Sequence, residues 1–166
     1  MELKEAPWKI YLDETAPTDP VARFSAHVED CRAFLARIPA DKIGFRYAPE
    51  KWSVKELVGH ITDADLIFLY RLICIARGET KSLSGFDENA YVRGGRFDSA
   101  DWGAQLRGHR SVSEAALALI LGLDTQAWNR RGTANDTELT PLDMLRVWIG
   151  HERHHLRILR ERYALA

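Results

Sequence analysis

Four segments of this 166-residue chain repeat apolar residues at every third or fourth position, the pattern of helices that bury one face. The first of these repeats comprises Val21, Phe24, Val28, Cys31, Phe34, Leu35 and Ile38. The alternation of apolar and polar residues that is typical of strands does not stand out. Such helices bury their faces against one another, so the sequence predicts an all-α four-helix bundle. The length fits one domain over residues 1–166.

Capping residues predict where the first two helices begin and end. Asp19 and Pro20 suit the start of the first helix, and Pro39 suits its end. The stretch from Ser53 to Glu56 fits a capping box, in which two side chains satisfy two backbone amides, and it predicts the start of the second helix. That helix should end near Gly78.

The other boundaries are predicted from the same kinds of residue. Asp98 is expected to cap a third helix that ends at Leu121, and Thr140 a fourth that ends near Tyr163. Residues 79–97 are predicted to form a long loop between helices two and three, with a short helix near 87–92. Residues 123–139 are predicted to form a second loop. A loop as long as 79–97 in a compact domain often has a functional role.

Composition and charge bound the environment of the protein. The formal net charge is −1 and the sequence pI is about 6.6, which gives no general attraction to nucleic acid or to an anionic membrane. The N-terminus does not resemble a signal peptide, and no apolar run approaches the ~18 residues of a membrane span. Cys31 and Cys74 lie in apolar helical patterns and are expected to be reduced thiols. We therefore expect a cytoplasmic protein that binds neither nucleic acid nor membrane.

A histidine pair in the fourth helix carries the strongest chemical signal. His151 and His155 are four residues apart, so they share a helix face and lie ~6 Å apart along its axis. The same face carries Leu145, Trp148 and Leu159, so both imidazoles are expected to point into the bundle. Two such imidazoles can bind one divalent metal ion. His154 is expected at the rim.

A third ligand is expected from the second helix. His60 lies on the same face as Leu57 and Ala64, and bundle cores build metal sites from side chains on facing helices. Three protein ligands leave one coordination position open for water or substrate. His27 and His109 are weaker candidates, and Asp63 could orient a ligand imidazole as a hydrogen-bond acceptor.

Residues 151–155 also match the HExxH motif of zinc metalloproteases. Those enzymes take a third ligand from beyond the motif, and residues 156–166 contain no His, Cys or Asp and only Glu161 as an acid. No strand pattern precedes the helix that could hold an extended peptide. The sequence therefore does not favour a metalloprotease.

Three motifs together resemble one family. Residues 47–65 (YAPEKWSVKELVGHITDAD), 85–91 (GFDENAY) and 150–156 (GHERHHL) are similar, in order and approximate spacing, to motifs of the DinB-like (YfiT-like) superfamily. The resemblance spans nearly the whole chain. It implies a four-helix bundle, a homodimer, and one metal ion bound by three histidines, which correspond here to His60, His151 and His155. Similar members include metal-dependent hydrolases and transferases that use low-molecular-weight thiols.

Three functions remain open from the sequence. The first is a metal-dependent enzyme acting on a small molecule, either a thiol S-transferase or a hydrolase, in which Glu152 is the candidate catalytic residue that accepts a proton or orients water. In that case Asp87, Glu88 and Tyr91 are candidates for the mouth of the site. The second is a non-catalytic metal- or ligand-binding module of a stress response, and the third is a structural bundle with core histidines. Zn and Ni are the favoured metals, and Fe and Mn are alternatives.

Overall fold

Six α-helices dominate the computed structural model, which describes residues 8–12 and 20–165. In chain order they are α1 (Lys9–Leu12), α2 (Pro20–Ala36), α3 (Val54–Ala76), α4 (Glu88–Gly95), α5 (Trp102–Leu121) and α6 (Pro141–Arg162). The four long helices, α2, α3, α5 and α6, form the predicted bundle, so the fold class is confirmed. None of the helices in the described ranges is long and apolar enough to cross a membrane.

The four long helices form a ring in which α3 and α2 each pack against both α5 and α6. Phe24 of α2 contacts Trp148 of α6, and about three turns later on both helices Phe34 contacts Arg160, so α2 and α6 run parallel. Helix α3 also contacts Trp148, through Phe68. Helices α2 and α3 are not among the helix pairs in substantial contact, so they lie diagonally across the ring.

The capping signals of α3 and α6 are confirmed. The Ser53 hydroxyl accepts the backbone N–H of Glu56 at 3.1 Å, and the Glu56 carboxylate accepts the backbone N–H of Ser53 at 2.9 Å. Thr140 and Asp143 form the same reciprocal pair at the start of α6. Gly78 follows α3 with φ of +87°, a left-handed conformation that explains why a glycine ends this helix. Asp19, the predicted cap of the first helix, lies outside the described residues.

The predicted cap of the third helix was wrong by three residues. Helix α5 begins at Trp102, and its cap is Asp101, whose carboxylate accepts a backbone N–H of the first turn at 2.7 Å. Asp98 lies in a preceding 3₁₀ turn and accepts hydrogen bonds from Ser53 and Arg46 instead. Both aspartates are suitable N-cap residues, but the carboxylate of Asp98 is already engaged by Ser53 and Arg46, so Asp101 caps the helix.

The predicted loop at 123–139 contains a short hairpin, which is a correction to the sequence analysis. Strands β1 (Gly132–Ala134) and β2 (Thr137–Leu139) pair in antiparallel fashion. The two-residue turn, Asn135 and Asp136, has positive φ at both positions, as a hairpin turn requires. Leu83 forms a bridge to Ala134, so the hairpin is joined to the chain after α3. The short helix predicted within 79–97 is present as α4.

The apolar core divides into two clusters, one at each end of the bundle. One contains Phe68 and Leu72 of α3 with Trp148 of α6, and the other contains Leu57 of α3 with Leu159 of α6. Between them lies a layer of buried polar side chains: His60, Asp65, His109, His151, Glu152 and His155. Buried polar groups are costly unless they are paired or hold an ion, so this layer identifies the functional region of the fold.

Two glycines bring other segments against the helices at this polar layer. A Cβ on Gly59 would meet the Phe97 ring at 2.4 Å, and a Cβ on Gly150 would meet the backbone carbonyl oxygen of Tyr11 at 1.9 Å. Each glycine directly precedes a candidate histidine ligand in the sequence. Helix α1 therefore packs directly on the α6 backbone beside His151, which only a residue without a Cβ allows.

We predict that Gly150→Ala displaces α1, because the added methyl overlaps the Tyr11 carbonyl; overpacking of this kind costs about 1–3 kcal/mol. Backbone amides of residues 8–12 should exchange with deuterium much faster than in the wild type. Gly108→Ala is the matched control, because a Cβ there meets open space. This substitution should stabilise α5 by about 0.5–1 kcal/mol. Wild-type exchange of residues 8–12 in Gly150→Ala would contradict this packing.

Candidate metal centre

Three histidine side chains converge inside the bundle. The Nε2 atom of His151 lies 3.1 Å from Nε2 of His60 and 3.1 Å from Nε2 of His155. Helix α3 supplies His60, and one face of α6 supplies the other two. All three residues are buried, with side chains that offer their ligand atoms within 4.8 Å of one another. The structure thus brings together the three residues that the sequence singled out.

Burial keeps these imidazoles uncharged. Desolvation lowers the pKa of His60 to about 4 and, with the neighbouring His60, lowers the pKa of His151 to about 3. Desolvation and the charges of the other two histidines also hold the pKa of His155 well below its usual value. Neutral imidazole is the form that binds a metal ion.

The arrangement fits a bound divalent ion. Nitrogen ligands about 2.0–2.1 Å from a tetrahedral ion lie about 3.3 Å from one another, close to the observed separations. Without a cation, the lone pairs of neighbouring Nε2 atoms would face and repel one another. A proton on one Nε2 atom can form a hydrogen bond with only one neighbour, so it cannot satisfy all three. The described residues could therefore hold one metal ion at this position.

A cavity of about 300 Å³ opens onto the triad. Its walls are largely aromatic, and the described residues that line it besides the triad are Trp8, Tyr11, Trp52, Phe68, Arg71, Phe86, Glu88, Asn135 and Val147. Ligand sites commonly combine such apolar walls with a few polar groups. The cavity has room for a small molecule beside the ion.

Contacts with its neighbours fix the position of His60. The Trp52 ring lies 4.9 Å from the His60 ring, and the Tyr163 hydroxyl donates a hydrogen bond to the Trp52 carbonyl at 2.6 Å. The C-terminal end of α6 thus anchors the segment that precedes α3. This contact joins the two helices that supply the triad.

The structure places Glu152 away from the triad cavity. Its carboxylate accepts hydrogen bonds from His27 at 2.7 Å and His109 at 3.2 Å, and it also contacts the Cys31 thiol. Glu152 is not among the described residues that line the cavity. His27 and His109, the weaker ligand candidates, therefore face Glu152 rather than the three converging imidazoles.

The groups around Glu152 form a buried cluster behind the triad, which we call the Glu152 cluster: His27, Cys31, Asp65, His109 and Glu152. Burial alone would raise the pKa of Glu152, but hydrogen bonds from His109 and His27 hold it well below its usual value. Burial, followed by the Glu152 charge, raises the pKa of Cys31 and that of Asp65. The cluster thus concentrates one negative charge on Glu152, which pairs with the two imidazoles.

Three members of the Glu152 cluster, Cys31, His109 and Glu152, also have the spacing of a metal-binding group. Two observations favour the charge network over an ion there. Both Glu152 oxygens are already hydrogen-bonded, and the raised pKa of Cys31 keeps the thiol protonated, whereas a metal binds the thiolate. The Nε2 atoms of the triad instead face one another, at 3.1 Å.

The remaining sequence candidates have mixed outcomes. Asp63 is half-buried, and among the described residues none accepts a hydrogen bond from the His60 Nδ1 atom, so the structure does not place Asp63 in the orienting role that the sequence allowed. His154 is half-buried beside His155, as expected for the rim. Glu88 lines the cavity, whereas Asp87 caps α4 and the Tyr91 ring packs on Phe86.

Sequence reasoning missed most of the cavity wall. Trp8, just before α1, and Tyr11 on α1 reach it, as do Arg71 on α3 and Asn135 at the tip of the hairpin. The Asn-Asp pair at 135–136 is a turn signal that could have revealed the hairpin. Nothing in the sequence around Arg71 distinguishes it from a solvated helix charge.

The fold and the buried triad define a helical-bundle protein with a candidate metal centre. Residues 23–159 match the DinB superfamily, and because this is most of the chain, the protein belongs to that superfamily. The family resemblance found in the sequence is thus confirmed. No curated protein matches the chain significantly in sequence.

Among solved structures, the chain is similar to YfiT from Bacillus subtilis. That protein is described as a probable metal-dependent hydrolase with an unusual four-helix bundle topology. The TM-score is 0.76 at 20% identity, over 92% of this chain and 93% of YfiT. The similarity establishes the shared fold.

We predict that His27 and Glu152 are energetically coupled. In a double-mutant cycle with His27→Ala and Glu152→Gln, urea unfolding should give a coupling energy of about 1–3 kcal/mol, because both groups are buried. The exposed pair Arg110 and Glu114 is the control and should show coupling near zero. Additive effects at the buried pair would contradict the network.

We also predict that a metal at the triad is retained below pH 6.5. Protons displace a metal only where they bind the imidazoles, and burial has moved those pKa values to about 4 for His60 and about 3 for His151. Dialysis of zinc-loaded protein across pH 7 to 4, with circular dichroism to monitor folding, measures the release. Half-release near pH 6.5, the ordinary imidazole value, from still-folded protein would contradict the prediction.

Proposed function

We propose that this protein binds one divalent metal ion through His60, His151 and His155 and uses it as an enzyme acting on a small molecule. The convergence of three uncharged Nε2 atoms at one end of a cavity is the observation that carries the proposal. Three protein ligands with an adjoining cavity are typical of catalytic rather than structural zinc sites.

The ligand set favours zinc or nickel, with iron or manganese as alternatives, since imidazole suits the later transition metals. An ion bound there would supply Lewis-acid chemistry and lower the pKa of a water or thiol. The protein itself contributes the walls. Tyr11, Trp52 and Phe68 line the cavity next to the triad and exclude bulk water from it.

Glu88 is the described carboxylate that lines the cavity, and we propose it as the group that accepts a proton there. Its charge already acts within the cavity, because it contributes, after burial, to the raised pKa of Tyr11. The catalytic role predicted for Glu152 is less favoured by its placement, since the carboxylate is engaged by His27 and His109. Glu152 instead supports α6 directly behind His151.

Both a hydrolase and a thiol S-transferase remain within the proposal. The description of YfiT as a probable metal-dependent hydrolase supports the first, and the family resemblance supports the second. In a transferase the thiol would come from a low-molecular-weight cofactor, because neither Cys31 nor Cys74 is among the described lining residues.

A non-catalytic metal- or ligand-binding module of a stress response is the second candidate. The exposure of Glu88 favours this non-catalytic module, because enzymes raise the pKa of a glutamate general base towards the operating pH partly by burying it. A homodimer and a cytoplasmic location, which the sequence analysis expects, complete the proposal. Sedimentation equilibrium tests the dimer.

Metal content tests the binding step. Purified protein reconstituted with zinc should contain close to one ion per chain by plasma mass spectrometry, and His60→Ala or His151→Ala should abolish this, because two imidazoles hold zinc far less tightly than three. His154→Ala, which removes the neighbouring half-buried histidine, is the matched control and should keep the ion. Full occupancy in His151→Ala would contradict the proposed ligands.

Turnover separates the enzyme from the binding module. Zinc- and nickel-loaded protein is supplied with amide and ester substrates, and with electrophiles plus low-molecular-weight thiols. An enzyme should give turnover that disappears in His151→Ala and falls in Glu88→Gln. Metal binding without turnover above the His151→Ala background would support the non-catalytic module.

A further inference from the structure

Arg71 is a buried cation on the wall of the triad cavity. It lies on α3 eleven residues after His60, and its side chain lines the same cavity as the three imidazoles. The residue is 3% exposed. An arginine so deeply buried almost always has an anionic partner, because a desolvated charge is costly on its own.

Among the residues that the structure describes, Arg71 has no such partner. Its guanidinium donates one hydrogen bond, from Nη2 to the Ser84 carbonyl at 2.6 Å. None of the Asp or Glu residues in the described ranges forms an ion pair with it, and no further hydrogen bond satisfies its remaining N–H groups. Burial lowers the pKa of Arg71, which reflects the cost of this unpaired charge.

Aromatic rings hold the guanidinium in place. Its central carbon lies 5.4 Å from the centre of the Trp8 ring and 5.8 Å from that of Phe86. Cation–π contacts orient a guanidinium while leaving its N–H edges free. The group is therefore positioned to donate several hydrogen bonds to a molecule in the cavity.

The net charge of the cavity also favours an anionic partner for Arg71. A divalent ion on three neutral imidazoles, together with Arg71, gives the cavity a charge of about +3, against which Glu88 provides one negative charge. A cavity of this sign concentrates anions. An oxyanion matches the guanidinium fork with paired, charge-assisted hydrogen bonds.

We propose that Arg71 binds an anionic oxygen group, such as a carboxylate, of the small molecule whose other end lies at the triad. This inference rests on the proposed function and specifies its substrate class: a molecule with a metal-directed group at one end and an oxyanion at the other. Arg71 is then a determinant of specificity, which sets the distance between the two ends.

The test uses paired probes that differ in the anion alone. Cobalt-loaded protein is titrated with mercaptoacetate, 3-mercaptopropionate, 4-mercaptobutyrate and 6-mercaptohexanoate, and with the ω-mercaptoalcohols of the same lengths. Thiolate binding is followed by the sulfur-to-cobalt charge-transfer absorption. 2-Mercaptoethanesulfonate adds a tetrahedral oxyanion, which distinguishes a planar from a tetrahedral preference.

We expect the carboxylate of one chain length to bind about tenfold or more tightly than its alcohol, the strength of a hydrogen bond to a charged group. Arg71→Met should abolish that preference without changing the affinity for the alcohols, and Arg71→Lys should retain part of it. Arg130→Met is the control, because Arg130 also donates to a backbone carbonyl but is not among the described residues that line the cavity. It should keep the full preference.

Stability gives an independent readout. If Arg71 is held unpaired for a ligand, Arg71→Met should leave the urea midpoint unchanged or raise it, because an unpaired buried charge has been removed. A structural role, through Ser84 and the two rings, would lower the midpoint instead. The carboxylate should also raise the midpoint of the wild type and not that of Arg71→Met.

Equal binding of acids and alcohols at every length, or a carboxylate preference that survives in Arg71→Met, would overturn the inference. Failure of cobalt binding would instead overturn the proposed metal centre. The paired probes are then titrated into metal-free protein and followed by the fluorescence of the cavity residues Trp8 and Trp52. An Arg71-dependent preference for the acid is still expected there, and its absence would also overturn the inference.

Discussion

Three uncharged imidazoles meet in a buried polar layer between two apolar clusters, and the rest of the structure accommodates that layer. One apolar cluster lies on either side of it, with Trp148 in one and Leu159 in the other. Polar atoms in such a layer are tolerated when each has a partner. An ion shared by His60, His151 and His155, as we propose, would provide that partner for three side chains at once.

Two adjacent residues of α6, His151 and Glu152, belong to different sites. His151 faces the cavity, whereas Glu152 turns towards α2 and α5 and pairs with His27 and His109. Successive residues on a helix point about 100° apart, so this division follows from helical geometry. The Glu152 cluster therefore lies on the other side of α6, and the cavity is lined mainly by aromatic residues, with Arg71 and Glu88 as its charged groups.

Local signals in the sequence predicted the four long helices and the placement of the histidine pair. The i, i+4 spacing of His151 and His155, the capping box at Ser53 and the cap at Thr140 are properties of neighbouring residues, and the structure has them where the sequence predicts. The cap at Asp98 failed because its carboxylate is engaged by residues far away in the chain.

The cavity wall could not be predicted for a related reason. It is assembled from α1, α3, the segment before α4 and the hairpin tip, which meet only in the folded protein. Arg71 illustrates the limit: in the sequence it is one charge in an amphipathic helix. Only the folded structure shows that it is buried beside Trp8 and Phe86, with no acidic partner among the described residues. The close approach of α1 likewise depends on Gly150, which a sequence reading takes for an ordinary helix residue.

The identity of the atoms around the bound ion tests the account most directly. X-ray absorption of zinc-loaded protein should show three imidazole nitrogens at about 2.0–2.1 Å and a remaining light-atom ligand. A sulfur scatterer at about 2.3 Å would place the ion at Cys31 in the Glu152 cluster instead. That result would contradict the assignment of the metal to His60, His151 and His155.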